Sequence, residues 1–139
     1  MLHRFVAKDL DGMFKAAEKL IGFTMAHLPD PPAVRPPEGF QLDWARMEDH
    51  LALVYEWRSR DLHAGTPIPV PMCEPPHQLD GHPAPTEIPL GLATWTGLAT
   101  WTGADVPMLL HTFAYITRGT LLNWLAAVTD ATTETTEPA

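Results

Sequence analysis

Four side chains able to bind a transition metal fall in one short stretch: Cys73, His77, Asp80 and His82. Thiolate, imidazole and carboxylate are the donors that Zn²⁺ accepts, and four of them make a closed tetrahedral site. Pro75, Pro76 and Pro83 stiffen the stretch, and a bound metal would keep so long a loop ordered. The spacing, Cys-x3-His-x2-Asp-x-His, matches no standard zinc knuckle, and histidine and aspartate in a loop are more often solvated than ligating. Zinc binding, with a small metal-binding protein or enzyme as its consequence, is therefore the alternative reading rather than the leading one.

Other reactive groups are sparse. Ser59 is the only serine; it sits between Arg58 and Arg60 in a charged helical stretch with no glycine elbow around it, which leaves serine hydrolysis without a nucleophile. Cys73 is the only cysteine and its neighbour is Glu74, which disfavours the thiolate that nucleophilic chemistry needs. There is no glycine-rich phosphate loop and no Glu-x-x-His pair for a helical di-iron centre. No cofactor is expected, and the chain reads as non-enzymatic.

Large aromatic side chains offer contact rather than catalysis. Trp57 lies off the main apolar stripe of its helix, Trp95 and Trp101 occupy matching places in a tandem repeat, and Trp124 falls in a strongly apolar run. These four are the expected partner-binding residues. Trp95 and Trp101 could stack sugars or bases, but no Lys or Arg occurs between Arg60 and Arg118. The formal net charge of −8 opposes a phosphate backbone as well, so nucleic acid is not an expected partner. Glu74, Asp80, Glu87 and Asp105 make this cation-free interval acidic, and they read as a solvated face.

The elements that must position these groups are helical. Leu10, Met13, Phe14, Ala17, Leu20, Ile21 and Leu28 recur at three- and four-residue steps and predict a helix from Asp9 to His27, with Asp9 or Asp11 as its cap and Pro29 ending it. A second helix is predicted from Asp43 to His63, with Asp43 as N-cap and Gly65 as stop. Its core stripe is Trp44, Met47, Leu51, Val54, Tyr55 and Leu62, and its wet side carries a Glu56–Arg60 pair. The stretch from Asp105 to Val128 is apolar on nearly every side. Arg118, Gly119 and Thr120 could break it into a hairpin, and otherwise it is one long helix wrapped by the rest of the domain or by neighbouring subunits.

Proline sets the connectors. Residues 29–39 and 66–89 are proline-rich, and eight prolines in the latter leave room only for short extended pieces. A structureless loop of this length is uncommon in a compact domain unless it is functional, disordered or pinned. Gly91–Thr96 is repeated without change as Gly97–Thr102, and its alternation of Leu and Thr with Ala and Trp suits a short β-hairpin over 91–103. The Thr/Glu-rich end, 129–139, reads as a disordered tail.

The expectation is a mainly α fold: one helical domain over 1–128, three to four helices, long proline-rich connectors, and that hairpin. The lone cysteine excludes an internal disulfide. Arg4, Lys8, Asp9 and Asp11 interrupt the apolar start that a cleavable signal peptide requires, and Arg118 lies inside the one run long enough to span a bilayer. A cytoplasmic or virion location follows, with membrane insertion disfavoured. The apolar run, the tryptophans and the proline arms exceed what 139 residues can shelter. The expected function is accordingly a structural or adaptor subunit of a larger homo- or hetero-oligomeric assembly, such as a phage virion component.

Overall fold

The computed structural model describes residues 2–90 and 105–134. Its helices are α1 (Leu2–Ala26), α2 (Met47–Ala64) and α3 (Leu110–Glu134). Short 3-10 turns occupy Glu38–Phe40, Trp44–Arg46 and Val70–Cys73. The mainly α class is as the periodicity implies. The tandem repeat with its expected hairpin, and with it Trp95 and Trp101, lies outside the described residues.

Local chemistry explains the limits of α2. Asp43 Oδ1 accepts the Ala45 N–H at 3.1 Å, which caps the 3-10 turn that leads into the helix. At the other end Gly65 adopts φ 66°, a left-handed conformation that side chains disfavour, and its N–H returns to the Arg60 carbonyl. Glu56 and Arg60 form the expected pair along the exposed side. α1 begins at Leu2, so Asp9 and Asp11 fall inside it instead of capping it.

The core forms where α2 and α3 meet the connectors. Leu42, Met47, Leu51, Met108 and Ile116 are buried together, with Ile21, Leu28, Trp44 and Phe113 packed around them. A second cluster joins Trp57, Met72 and Val106. Two assignments on α2 are corrected here: Leu62, placed in the core stripe by spacing, is 64% exposed, and Trp57, placed off it, is buried. The reason is that Met72 and Val106 arrive from connectors on the Trp57 side of the helix, and none of the described elements covers the turn that holds Leu62.

Both proline arms pack on the chain itself. Proline lacks an N–H but leaves every carbonyl free, and side-chain donors take those of the first arm. Trp44 Nε1 donates to Pro29 O at 3.1 Å, Tyr115 Oη to Asp30 O at 3.0 Å, and Asn123 Nδ2 to His27 O at 3.1 Å. In the second arm Pro69, Pro71, Met72, Ala84 and Thr86 are buried. His77 and Thr86 exchange two bonds, of 2.9 and 3.0 Å, across a turn in which Gly81 has φ 78°.

Glu87 is the third correction. It belongs to no solvated acidic face: it is 5% exposed and lies at the junction of three segments. Its carboxylate accepts Arg35 Nε at 2.9 Å, Arg35 Nη2 at 2.6 Å and the Leu42 N–H at 2.7 Å. Its carbonyl accepts the Leu109 N–H at 3.1 Å and Thr112 Oγ1 at 2.7 Å, which ties the start of α3 to the arm. The hydrogen bonds that Arg35 donates to Glu87, with the negative charge of Glu87, hold the Arg35 guanidinium pKa above its usual value, against the opposing effect of burial.

α3 is a single helix. Arg118, Gly119 and Thr120 do not interrupt it, because Gly119 is where the first arm crosses: a Cβ there would lie 2.6 Å from two carbons of the Pro29 ring. It also runs on through residues 129–134, which were expected to be disordered. The hydroxyls of Thr129, Thr132 and Thr133 bond back to the carbonyls of Leu125, Val128 and Thr129 at 2.9, 2.9 and 3.0 Å, so the threonines satisfy themselves within a helix.

Candidate functional site

The expected metal residues do not converge. Cys73, His77, Asp80 and His82 are all exposed, and among the described residues no three His, Cys, Asp or Glu side chains are grouped so as to hold a metal ion. The hydrogen bonds across the His77–Thr86 turn supply the order that a metal was invoked to explain.

Of the tryptophans expected at a partner surface, Trp57 is 8% exposed, and its Nε1 donates to Asp105 O at 2.7 Å. Arg60 lies over its ring, 4.9 Å from the centroid. Trp57 thus fastens the connector that enters α3. Trp124 is 40% exposed and stands 6.1 Å, centroid to centroid, from Phe23 of α1.

The surface that does stand open is on α3. Thr112, Ile116 and Thr120 are buried, Gly119 meets Pro29 and Asn123 bonds to His27, so this side of the helix faces the domain. At 100° per residue Leu121 falls on the opposite side, Leu122 on its flank, and Leu125 and Val128 on the opposite side again. They are 50%, 54%, 53% and 45% exposed. Every residue from 121 to 134 is exposed, although Asn123 and Trp124 still touch His27 and Phe23. A shallow apolar hollow lies at the base of this stretch, lined by Phe113, Ala114, Thr117, Arg118, Leu121 and Leu122. Sequence periodicity had no means of finding this face, because leucine at an all-round apolar helix reads as core on every side. The available signal was the absence of any charge from Gly119 to Thr129.

No family model, curated protein or solved structure matches the chain. What the site can do must therefore come from its own chemistry.

A second apolar feature lies between the helices. A cleft of about 270 Å³ is walled by residues that include Ile21 and Phe23 of α1, Val54 and Trp57 of α2, and Phe113 and Leu121 of α3. Among the described residues that line it, Arg58 is the only cation and none is an acid. Both surfaces are lined mainly by carbon among the described residues. Among the described residues no helix is long and apolar enough to cross a membrane.

Proposed function

We propose that the chain is a non-enzymatic structural or adaptor subunit of a larger protein assembly, of which a virion component is one instance. One observation carries this reading. The outer side of α3 sets out Leu121, Leu122, Leu125 and Val128, each about half exposed, on the part of the helix where no described residue is buried. Roughly 350 Å² of apolar surface results, within the range of the largest patch on a typical monomer, and such patches often mark interaction sites. The proline arms, which composition alone would have enlisted, contribute nothing to the argument, since both are packed on the domain.

The test is native mass spectrometry of the untagged chain isolated from its source. A complex of fixed stoichiometry with protein subunits is the expected result. A lone monomer, with sharp and dispersed NMR signals from α3, would overturn the reading.

A further inference from the structure

We infer that the cleft between the three helices binds a small amphipathic carboxylate. Its hydrocarbon body fills the cleft, its carboxylate meets Arg58 at the mouth, and a hydroxyl or carbonyl oxygen along the body meets Thr120. The inference concerns a single chain and goes beyond the subunit reading above.

Volume and lining set the body of the ligand. The cleft holds about 270 Å³, and Ile21 of α1, Val54 of α2 and Phe113 of α3 are among the side chains that wall it. Protein interiors are close-packed, so a space of this size between three helices is unusual. Water is a poor occupant, because an enclosed water needs about two to four polar partners and this wall is almost all carbon. At ~30 Å³ for each water-sized group there is room for about nine non-hydrogen atoms. That is the low end for a ligand site and suits a short hydrocarbon chain.

Charge sets the head. Arg58 lines the cleft and is exposed, which puts its guanidinium at the mouth. Among the described residues it makes no ion pair, unlike Arg35, Arg46 and Arg60. None of the described residues on the wall is an acid that could compete for it. A guanidinium presents paired N–H donors that match the two oxygens of a carboxylate.

Thr120 sets the third feature. It lies on the wall of the cleft and is 3% exposed, yet its Oγ1 is buried with no hydrogen-bond partner. Buried hydroxyls are ordinarily satisfied. Thr24, on the facing helix and also on the wall, returns its hydroxyl to Leu20 O at 2.9 Å, and Thr129, Thr132 and Thr133 of α3 do the same within their own helix. The Thr120 hydroxyl is thus the one polar group of the wall that the fold leaves for an occupant, and a plain hydrocarbon chain would not satisfy it.

The test is isothermal titration calorimetry of the full chain with decanoate, decanol, and decanoates bearing one hydroxyl at carbon 2, 3 or 10. Saturable binding of decanoate at one per chain is expected, with decanol at least about tenfold weaker. Arg58→Met should weaken decanoate about tenfold and leave decanol within about twofold, while Arg46→Met, away from the cleft, should change neither. One of the hydroxydecanoates should bind at least about threefold more tightly than decanoate, and Thr120→Val should abolish that gain while leaving decanoate within about twofold. Unchanged helical circular dichroism shows that each variant is folded. No saturable binding of any carboxylate, decanol as tight as decanoate, or affinities indifferent to Arg58→Met or to Thr120→Val would each overturn the inference.

Discussion

Replacing Glu87 by glutamine removes one charge and almost no volume, at the point where the first arm, Leu42 and the start of α3 meet. The carboxylate accepts three hydrogen bonds, two from Arg35 and one from the Leu42 N–H. A glutamine can keep its carbonyl oxygen toward Leu42 and Arg35 Nη2. Its NH₂ must then face Arg35 Nε, donor against donor. Breaking a buried pair by neutralising one partner costs about 3–5 kcal/mol. The lower end applies, because the Arg35 side chain is 21% exposed and water can partly replace the lost acceptor. The expected loss is about 3 kcal/mol, a large share of the 5–15 kcal/mol that holds a domain. It corresponds to a fall in Tm of about 10 °C for a chain of this length. Urea unfolding followed by tryptophan fluorescence at one fixed protein concentration measures it, with an unchanged m value as the sign that only stability moved. Arg35→Met should cost a similar amount. The double variant Arg35→Met/Glu87→Gln should cost about 2 kcal/mol less than the sum of the two singles, because each single change strands a partner. A Glu87→Gln protein within about 0.5 kcal/mol of the parent, or strictly additive single changes, would refute the buried junction.

Three further outcomes are expected. Gly119→Ala should lose about 1–2 kcal/mol even though alanine favours a helix by about 1 kcal/mol, since its methyl group meets the Pro29 ring; a gain in Tm would show that the arm does not cross α3 there. Trp57→Phe should lose about 1–2 kcal/mol through the bond to Asp105 O, measured by the same urea titration; an unchanged midpoint would place Trp57 outside the interior. Burial, the largest influence on His50, lowers its pKa below 6.5 and outweighs the backbone of Asp43, which raises it. The neutral ring is favoured in the folded state, so its contribution is whole above pH 6.5 and is lost as pH falls from there through the lowered value. Stability should decline between pH 7 and pH 5, and the decline should be shallower in His50→Gln; parallel pH profiles for the two proteins would remove His50 from the account.

Much of the local structure was legible from residue order alone. Helical periodicity places Met47 and Leu51 in the core, Asp43 caps and Gly65 stops. These are short-range properties: a cap or a three-four spacing acts within a turn or two of its own residue. What residue order could not decide was which neighbour would arrive. Arg35 and Glu87 are 52 positions apart, and Glu87 reads as a surface acid until the fold sets the two side by side. Trp57 and Leu62 exchange their expected places because Met72 and Val106 come to the Trp57 side of α2 and none of the described residues covers Leu62. The same holds most strongly for α3. A helix that is apolar all round carries little amphipathic signal to distinguish its sides. Only the crossing of the first arm at Gly119 determines that Ile116 and Thr120 turn inward and that Leu121, Leu122, Leu125 and Val128 are left facing out.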